Sequence, residues 1–321
     1  MAISTQAYKA LERIVGAKYI SEDPVIMQGY KSGPGGYEAG LGYERVMTVL
    51  PAAVILPKDT DEVQRIVKIC SRYNIPYVPY ATGFYGPKTH CHVDDELIID
   101  MKRMQHFEWD EKHMYADIGP GIVYSSLQQE AFNKGCYGVI GGGGAQCSAI
   151  ANLLGDGWSP ISLKIGLPHR RILGTELVLP DGELVKMGSL ANCDDPFWGE
   201  GPGPDLRCIL RGFTGLRGCL GIVTRMAVKY LPFIQESPKP QGIAPNTSLA
   251  LDERRIRWIN YQVPTKADQV QAMYEIGAAE IGAACTRFLY SGERSLRQKI
   301  KKNSGISGSR KVKNPWLTST S

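Results

Sequence analysis

The sequence predicts an α+β fold, in which helices and strands mix and some strands return as hairpins. The chain has 321 residues, of which 43% are apolar and 21% are charged. These values exclude a disordered chain, a coiled coil and a collagen, and the length fits two domains. Segments of helical periodicity stand between short apolar strands, and the turn Pro180-Asp181-Gly182 separates two strand segments. A hairpin beside crossover connections favours α+β over a simple doubly wound sheet.

The first 135 residues predict helices and strands in alternation. Asp59 with Glu62 indicates a helix start, because a carboxylate can accept hydrogen bonds from the free amides and Glu can reach back. Apolar residues then recur at helical spacing from Val63 to Cys70, and Asn74 ends this helix. The other elements predicted here are a helix over residues 1–20, strands at 53–56, 77–79, 97–100 and 115–118, and a helix marked by Val123, Leu127 and Ala131 that ends at Gly135.

The second half begins with a glycine-dense stretch, residues 138–157, which we predict to be a loop. Strands at 173–179 and 183–187 flank the Pro-Asp-Gly turn, where Pro presets φ and Gly takes the left-handed conformation. The Pro-rich stretch 232–247 is the predicted domain boundary. The remaining predicted elements are a helix at 205–211, strands at 222–230 and 256–263, and a helix with Val270, Met273, Tyr274, Ala278 and Ile281 on its apolar face.

Cysteine usage and the N-terminal residues predict a cytoplasmic protein. The eight cysteines are scattered and none forms a C-x-x-C pair, which is typical of reduced thiols. Residues 1–13 lack an apolar core of signal-peptide length, and no stretch reaches about eighteen apolar residues, so we expect no membrane span.

His90, Cys91 and His92 are adjacent on a predicted loop without a second ligand cluster, so we predict no metal.

The positive charge is confined to the C-terminal segment. The net charge is +5, but residues 294–321 carry eight Lys/Arg and no Asp/Glu, which leaves 29 basic and 32 acidic residues in 1–293. Basic, Ser- and Gly-rich segments of this kind are usually disordered and solvated. We therefore predict no nucleic-acid partner and no membrane partner. An arm that contacts nucleic acid or a membrane surface is the alternative for this segment.

Three loop segments have compositions that suit a ligand. Residues 79–86 follow a predicted strand, and small residues there let backbone amides turn inward as an anion nest. The four glycines 141–144 are entropically costly, and they predict either a flexible loop or a backbone pressed against a flat ligand. Residues 218–224 form a turn that opens a strand. Each segment alone is also compatible with an ordinary connection, and the first is neither a P-loop nor a G-x-G-x-x-G fingerprint.

In their order along the chain, these segments and the strands between them resemble the flavin-binding domain of the vanillyl-alcohol oxidase and p-cresol methylhydroxylase superfamily. The resemblance predicts a two-subdomain fold of the p-cresol methylhydroxylase (PCMH) type, in which FAD lies extended between two α+β subdomains. The segments that carry it are Pro51-Ala52-Ala53-Val54-Ile55-Leu56-Pro57, the P-x-x-x-G loop from Pro79, Leu97-Ile98-Ile99-Asp100-Met101, Gly119-Pro120-Gly121-Ile122, Ser148-Ala149-Ile150-Ala151-Asn152, Glu176-Leu177-Val178-Leu179-Pro180-Asp181-Gly182-Glu183, Gly201-Pro202-Gly203-Pro204-Asp205 and Gly221-Ile222-Val223-Thr224.

The resemblance also implies which residues would hold FAD. Backbone amides of the first loop would bind the pyrophosphate, which fits donors that stabilise an anion without a buried cation. The second loop would run along the flavin, and a strand would contact the cofactor edge. The residues so implied are Ala81, Thr82, Gly83, Phe84 and Tyr85 in the first loop, Gly141, Gly142, Gly143, Gly144, Ser148 and Asn152 in the second, and Ile222 and Val223 in the strand. Plain packing is the alternative for each.

Three departures from the family pattern matter. Relatives with a histidyl-linked flavin often carry His where Phe84 and Tyr85 stand, so we predict noncovalent FAD, with a Cys147 thioether as the alternative. Asp156 is the candidate base or hydrogen-bond donor near the flavin N5, with a surface carboxylate as its alternative. The family chain is longer, so we predict an FAD-binding domain at 1–235, the start of an incomplete cap domain at 250–292, and a basic tail at 293–321 that we expect to be disordered.

The resemblance implies an FAD-linked oxidase or dehydrogenase. A hydride would pass from an alcohol, a hydroxy acid or a phenolic substrate to flavin N5, and the electrons would leave to oxygen or to a cytochrome or iron–sulfur partner. Segments 148–152 and 201–205 favour a phenolic substrate slightly over a hydroxy acid. The cap builds most of the substrate pocket in this family. A noncatalytic flavin-binding or assembly subunit, a second subunit, an oligomer and a truncated family member are therefore the alternatives.

Overall fold

The computed structural model describes residues 3–31, 50–83, 93, 95–138, 144–155, 159, 161–191, 220–233, 240–243, 248–249, 259, 265–282 and 284–285. All of them belong to one compact unit, Met1–Cys285. The helices are α1 Thr5–Val15, α2 Pro24–Lys31, α3 Thr60–Tyr73, α4 Tyr124–Asn133, α5 Ala149–Leu154, α6 Ser162–Ile165 and α7 Lys266–Ala279. The strands are β1 Ile20–Ser21, β2 Ala53–Ile55, β3 Tyr77–Tyr80, β4 Leu97–Asp100, β5 Phe107–Asp110, β6 Tyr115–Ile118, β7 Cys136–Tyr137, β8 Ile172–Val178, β9 Leu184–Gly188, β10 Ile222–Lys229, β11 Leu231–Pro232, β12 Pro240–Gln241 and β13 Ser248–Leu249.

The first sheet is mostly parallel, with the strand order β1-β2-β4-β3. Strands β2, β4 and β3 run parallel, and β1 is antiparallel to β2. Helices α1 and α3 cover one face, where Leu11, Ile66 and Val67 are fully buried. Their apolar residues recur at helical spacing, so one stripe of each helix faces the sheet. This face is the first hydrophobic core of the molecule.

Helix α3 begins and ends where the sequence predicts. The Asp59 carboxylate accepts a hydrogen bond from the Glu62 amide (2.9 Å), and the Glu62 carboxylate accepts one from the Lys58 amide (2.8 Å). These bonds satisfy amides that a helix N-terminus leaves without partners. Asn74 closes the helix in the left-handed conformation, with φ 52°.

The other face of the first sheet is covered by α2. Met27 of this helix is buried together with Val54, Ile98 and Tyr80. Tyr80 and Asp100 end β3 and β4 and pair with each other in the sheet. The loop that follows β3, the first of the three predicted ligand loops, therefore leaves the sheet at its carboxyl edge beside α2.

The second sheet is antiparallel, with the strand order β5-β6-β10-β8-β9. Helices α4 and α5 cover one face and bury Leu127 and Ile150 against Met226 of the central strand β10. This face is the second hydrophobic core. On β10, the guanidinium of Arg225 lies between Asp117 of β6 (Nε to Oδ2 2.8 Å) and Glu176 of β8 (Nη1 to Oε1 3.4 Å). This ion-pair network links three neighbouring strands.

The β8–β9 hairpin joins the two sheets. Val178 at the end of β8 packs in the first hydrophobic core, and Gln64 of α3 donates a hydrogen bond to the carbonyl oxygen of Gly182 (2.9 Å). Gly182 has φ +83°, and a Cβ there would lie 2.6 Å from Cγ of Lys68. The turn therefore needs glycine, both for its conformation and for its contact with α3.

The predicted α+β fold, with its hairpin, is confirmed, but two predicted segments are wrong. We predict a helix over residues 1–20, whereas α1 ends at Val15, Gly16 follows it with φ 87°, and Ile20 belongs to β1. We predict a loop over residues 138–157, whereas α5 lies within it. The Ser148 hydroxyl accepts a hydrogen bond from the Ala151 amide (3.4 Å), and Ile150 and Leu153 are buried in the second hydrophobic core. A helix of six residues is too short to show a periodic pattern, so tertiary packing and its cap stabilise it.

Helix α7 overlaps the segment predicted as helical but ends at Ala279, before Ile281, and it buries none of its residues. Val270, Met273 and Tyr274 on its predicted apolar face are 42%, 38% and 73% exposed. Among the described helices, none combines the length and the hydropathy needed to cross a membrane. The predicted helix at 205–211, nearly all of the predicted strand at 256–263 and the tail at 293–321 lie outside the described residues.

Candidate functional site

Three segments that are distant in sequence meet around Ser148. The Ser148 amide donates a hydrogen bond to Oγ1 of Thr82 (3.3 Å), and the Ser148 hydroxyl donates one to the carbonyl oxygen of Pro120 (2.9 Å). Ser148 itself is 1% exposed. One buried residue therefore joins the loop after β3, the Gly-Pro-Gly turn after β6 and the start of α5.

Backbone pairing and a buried side chain hold the same segments together. The amide of Ala149 donates a hydrogen bond to the carbonyl oxygen of Ile122 (2.9 Å). The amide of Tyr124 donates one to the carbonyl oxygen of Cys147 (3.0 Å). Farther along α5, the Asn152 side chain is buried, and its Oδ1 accepts a hydrogen bond from the hydroxyl of Tyr124 (3.3 Å). The second predicted ligand loop is thus fixed to α4 and to the turn before it.

The loop after β3 rests on the side chain of Tyr80. Gly83 is buried in the left-handed conformation with φ +65°, and a Cβ there would lie 1.8 Å from the Tyr80 hydroxyl oxygen and 2.3 Å from Cζ. No side chain fits at this position while the Tyr80 ring stays in place. The glycine therefore lets the loop backbone lie directly against the aromatic ring.

The structure describes eight of the predicted cofactor residues. Thr82 and Ser148 are in direct contact, as described above. Ile222 and Val223 are 2% and 6% exposed, and their side chains pack in the first and the second hydrophobic core respectively. Their side chains therefore contribute to the two hydrophobic cores. The described residues also include Ala81, Gly83, Gly144 and Asn152, whereas Phe84, Tyr85, Gly141, Gly142, Gly143 and Asp156 lie outside them.

Thr224, which follows Val223 on β10, is a candidate that the sequence pattern does not single out. Its side chain is 3% exposed, and its Oγ1 has no hydrogen-bond partner among the described residues. A buried hydroxyl without a partner is rare because it loses its hydrogen bonds with water, so it indicates a ligand or an ordered water. One feature of the sequence could have pointed to Thr224. It is the hydroxyl residue at the end of the motif Gly221-Ile222-Val223-Thr224, inside an otherwise apolar strand.

Cys147 precedes Ser148 and points into the protein. It is 5% exposed in the second hydrophobic core, and burial raises the pKa of its thiol. A nucleophilic cysteine needs its thiolate form and access to the ligand. The position of Cys147 provides neither.

The groups that meet around Ser148 are amides, hydroxyls and a carboxamide. Neutral donors of this kind stabilise an anionic group without a buried cation. Within the part of the chain that the structure describes, no three His, Cys, Asp or Glu side chains form a group that could hold a metal ion. Within the described residues, the segments joined at Ser148 therefore present neutral polar groups that bond to one another.

Residues 51–188 match the family model of an FAD-binding domain. The chain is 31% identical over 185 residues to the glycolate oxidase subunit GlcD of Bacillus subtilis. The aligned residues are 57% of this chain and 37% of that protein. It is 26% identical over 195 residues to a mitochondrial D-lactate dehydrogenase (cytochrome) of Arabidopsis thaliana, which covers 59% of this chain and 32% of the relative. The chain thus spans less than two fifths of the length of these relatives.

The fold is similar to solved structures of two oxidising enzymes. A 4-ethylphenol oxidase from Gulosibacter chungangensis superposes with a TM-score of 0.57 at 22% identity, over 72% of this chain and 44% of that chain. A substrate-bound p-cresol methylhydroxylase gives a TM-score of 0.57 at 20% identity, over 71% of this chain and 43% of that chain. At such identities the likeness establishes the fold, and it confirms the predicted PCMH-type architecture. The three segments that meet around Ser148 all lie within the span matched by the family model.

Proposed function

We propose that residues 51–188, which match the family model of an FAD-binding domain, bind FAD, and that the protein is the FAD-carrying part of an oxidoreductase. The observation that carries the proposal is the meeting of Thr82, Pro120 and Ser148 inside that domain. We propose that these segments bind the cofactor and that the oxidised substrate is a small 2-hydroxy acid.

The described residues fit FAD at two points. Gly83, in the left-handed conformation, turns the loop after β3 over the Tyr80 ring, and the buried Thr224 hydroxyl provides a hydrogen-bonding group without a protein partner among the described residues. Ala81, Thr82 and Gly83 would hold the pyrophosphate, Gly144, Ser148 and Asn152 would line the flavin, and the backbone of Ile222 and Val223 with the Thr224 hydroxyl would contact the cofactor edge. By motif position, Phe84, Tyr85, Gly141, Gly142 and Gly143 belong to the same proposal.

Bound FAD would supply a two-electron acceptor for a hydride from an alcohol, a hydroxy acid or a phenolic carbon. Among these substrates, the hydroxy acids have the better support. The curated relatives at 31% and 26% identity are named for glycolate and D-lactate. The structures named for phenols are 22% and 20% identical and inform only the fold.

We propose noncovalent FAD and a proton-transfer role for Asp156. The burial of Cys147 in the second hydrophobic core supports a noncovalent cofactor, because a thioether to that sulfur would require the core to open. Asp156 follows α5 by two residues, and Ser148 and Asn152 fix that helix to the rest of the site. The Asp156 carboxylate would accept the proton of the substrate hydroxyl, or its protonated carboxyl group would donate a hydrogen bond.

The electrons would then leave to oxygen or to a redox partner such as a cytochrome or an iron–sulfur protein. The relative from Arabidopsis thaliana is named as a cytochrome-linked dehydrogenase, which supports a protein acceptor. The chain covers 37% and 32% of these two relatives, so a second subunit that adds residues to the substrate pocket is the alternative to a self-sufficient chain.

The experiment is an anaerobic reduction assay on the full chain loaded with FAD. We expect a flavin absorbance spectrum that fades on addition of glycolate or D-lactate and not of p-cresol, and FAD that stays in solution after acid precipitation. Fading with p-cresol alone would instead favour a phenolic substrate. A protein that takes up no FAD would overturn the proposal.

Asp156→Asn tests the role of that carboxylate. We expect FAD binding to persist and the reduction rate to fall by about 10²–10⁴-fold, the usual contribution of a general acid or base. Asp181→Asn is the matched control, because Asp181 lies in the exposed turn of the β8–β9 hairpin and accepts only a local bond from the Glu183 amide. Equal rates for Asp156→Asn and the unchanged protein would exclude this role.

A second candidate is an FAD-binding subunit that has no activity alone. The name of the Bacillus subtilis relative, a glycolate oxidase subunit, favours it. In the same assay, this candidate predicts a stable flavin spectrum that none of the substrates reduces. Reduction that appears only after a partner chain is added would distinguish it from a self-sufficient enzyme.

A further inference from the structure

Asp100, at the end of β4, carries a carboxylate that is completely buried. Three donors satisfy it. Its Oδ2 accepts a hydrogen bond from the Tyr30 hydroxyl (2.6 Å) and pairs with Nζ of Lys102 (2.9 Å), while its Oδ1 accepts from the Lys102 amide (3.0 Å). A buried charge is tolerated when it is paired and hydrogen-bonded in this way. The carboxylate is thus held in one position by α2 and by the residues that follow β4.

The same groups surround the ring of Tyr80. The rings of Tyr30 and Tyr80 meet edge to face with centroids 5.2 Å apart. The Lys102 ammonium lies 5.3 Å from the centroid of Tyr30 and 5.7 Å from that of Tyr80, within the range of cation–π attraction. Burial, and next the hydrogen bond to Asp100, raises the pKa of Tyr30 well above its ordinary value, so this phenol remains a donor. The Tyr80 ring is therefore held by a contact with the ring of Tyr30 and by a cation–π contact with Lys102.

Tyr80 in turn sets the path of the loop after β3. Its hydroxyl and Cζ occupy the space that a Cβ at Gly83 would need, so the backbone of Gly83 lies on the ring. Thr82, between them in sequence, accepts the hydrogen bond from the Ser148 amide. A displaced Tyr80 ring would therefore move both Gly83 and the Thr82 contact to the second loop.

We propose that Asp100, Tyr30 and Lys102 are positioning residues for the cofactor, which hold the Tyr80 ring against Gly83 and thereby preorganise the pyrophosphate loop. This inference rests on the proposed function of residues 81–83. It adds α2, Pro24–Lys31, to the cofactor site, although this helix precedes the matched FAD-binding domain at 51–188. Preorganisation lowers the cost of ordering the loop when the ligand binds.

The experiment compares two tyrosines on the same strand. Tyr80 and Tyr77 both belong to β3, but Tyr77 faces the first hydrophobic core and lies away from Gly83. Four variants of the full chain are needed: Tyr80→Leu, Tyr80→Phe, Tyr77→Leu and Tyr77→Phe. For each, flavin fluorescence gives the dissociation constant of FAD, and thermal unfolding with and without FAD gives the stabilisation by the cofactor.

We expect both leucine variants to melt at lower temperature without FAD, because each loses a packed ring. Only Tyr80→Leu should also raise the dissociation constant of FAD, by about tenfold or more, and shrink the shift in melting temperature that FAD produces. Tyr80→Phe should restore both values, because the ring under Gly83 is retained. Equal dissociation constants for Tyr80→Leu and Tyr77→Leu would overturn the inference and assign Tyr80 to packing alone.

Tyr30→Phe tests the link through Asp100 without removing a ring. We expect a rise in the FAD dissociation constant of about three- to tenfold, because only part of the free energy of the lost hydrogen bond to Asp100 is transmitted to the loop. An unchanged constant would remove Tyr30 and α2 from the inference. If the unchanged protein binds no FAD, the proposed function fails. If the unchanged protein and all variants bind FAD equally, the proposed function stands and only this inference fails.

Discussion

Ser148 combines two contacts at the scale of a single residue. Its hydroxyl caps α5 by accepting from the Ala151 amide (3.4 Å), and it also donates to the buried turn at Pro120 (2.9 Å). We expect Ser148→Ala to lower the free energy of unfolding by about 1–3 kcal/mol, because a cap and a buried hydrogen bond are both lost. The dissociation constant of FAD should rise as well, because without the hydroxyl contacts to Pro120 and Ala151 the backbone amide of residue 148, which donates to Thr82, is held less firmly. Urea unfolding and flavin fluorescence measure the two effects.

Ser4→Ala is the control for that prediction. Ser4 caps α1 by accepting from the Ala7 amide (3.2 Å), away from the candidate site. Its loss should lower the free energy of unfolding by about 1 kcal/mol and leave FAD binding unchanged. An equal effect of both substitutions on FAD binding would contradict a specific role for Ser148.

Thr224 gives a second prediction at the residue scale. Its buried Oγ1 has no partner among the described residues, so Thr224→Val should leave the apoprotein equally stable or more stable by up to about 1 kcal/mol. The same change should weaken FAD binding if the hydroxyl contacts the cofactor. Thr175→Val on the neighbouring β8 is the matched control, because Thr175 Oγ1 is also buried without a described partner. Titration of both apoproteins with FAD checks this, and equal affinities would exclude Thr224 from the site.

At the scale of secondary-structure elements, the turn of the β8–β9 hairpin holds α3 against the second sheet. Gly182→Ala would place a Cβ 2.6 Å from Cγ of Lys68 in a left-handed conformation. We expect it to lower the free energy of unfolding by about 2–3 kcal/mol, combining the strained φ with the clash.

Gly135→Ala separates the two causes. Gly135 also has a positive φ, +64°, but a Cβ there would have no atom within 4 Å. It should cost only the strain of the left-handed conformation, about 1 kcal/mol. Chemical denaturation compares the two variants. Equal losses would show that the contact with α3 contributes nothing to the junction of the sheets.

At the scale of the whole molecule, buried thiols and phenols predict how stability depends on pH. Burial raises the pKa of Cys70 from 9.0 to about 12, and it also raises the pKa values of Cys136, Cys147 and Tyr230. The unfolded chain therefore loses these protons at lower pH than the folded chain. Their contribution to stability is complete below pH 9 and is lost as the pH rises from about 9 towards 12.

Cys70 should account for up to about 1.4 kcal/mol per pH unit within that range. We expect urea unfolding of the reduced protein to show a steep loss of stability from pH 9 to 11, and a shallower slope for Cys70→Ala. Cys285→Ala is the control, because Cys285 is partly exposed, and its slope should match that of the unchanged protein. A stability that stays constant from pH 8 to 11 would contradict the prediction.

Local elements could be predicted because their signals lie within a few residues. Helix α3 is one case, since Asp59 and Glu62 mark its start and its apolar stripe recurs on one face. The Pro-Asp-Gly hairpin is another. Helix α5 could not be predicted in this way, because it is short and follows glycines that predict a loop. The apolar face of α7 was predictable from its spacing but its exposure was not, since an apolar stripe does not specify which surface covers it.

The sequence by itself determined the α+β class, most strand and helix positions, and the order of motifs that predicted an FAD-binding domain. Only the tertiary structure decided which polar groups meet. The contact of Thr82 with Ser148 spans 66 residues, and that of Tyr30 with Asp100 spans 70. Such contacts depend on how two sheets and α2 pack together. Local propensity cannot specify them, because it acts over one or two helical turns, whereas the packing of distant surfaces fixes their geometry.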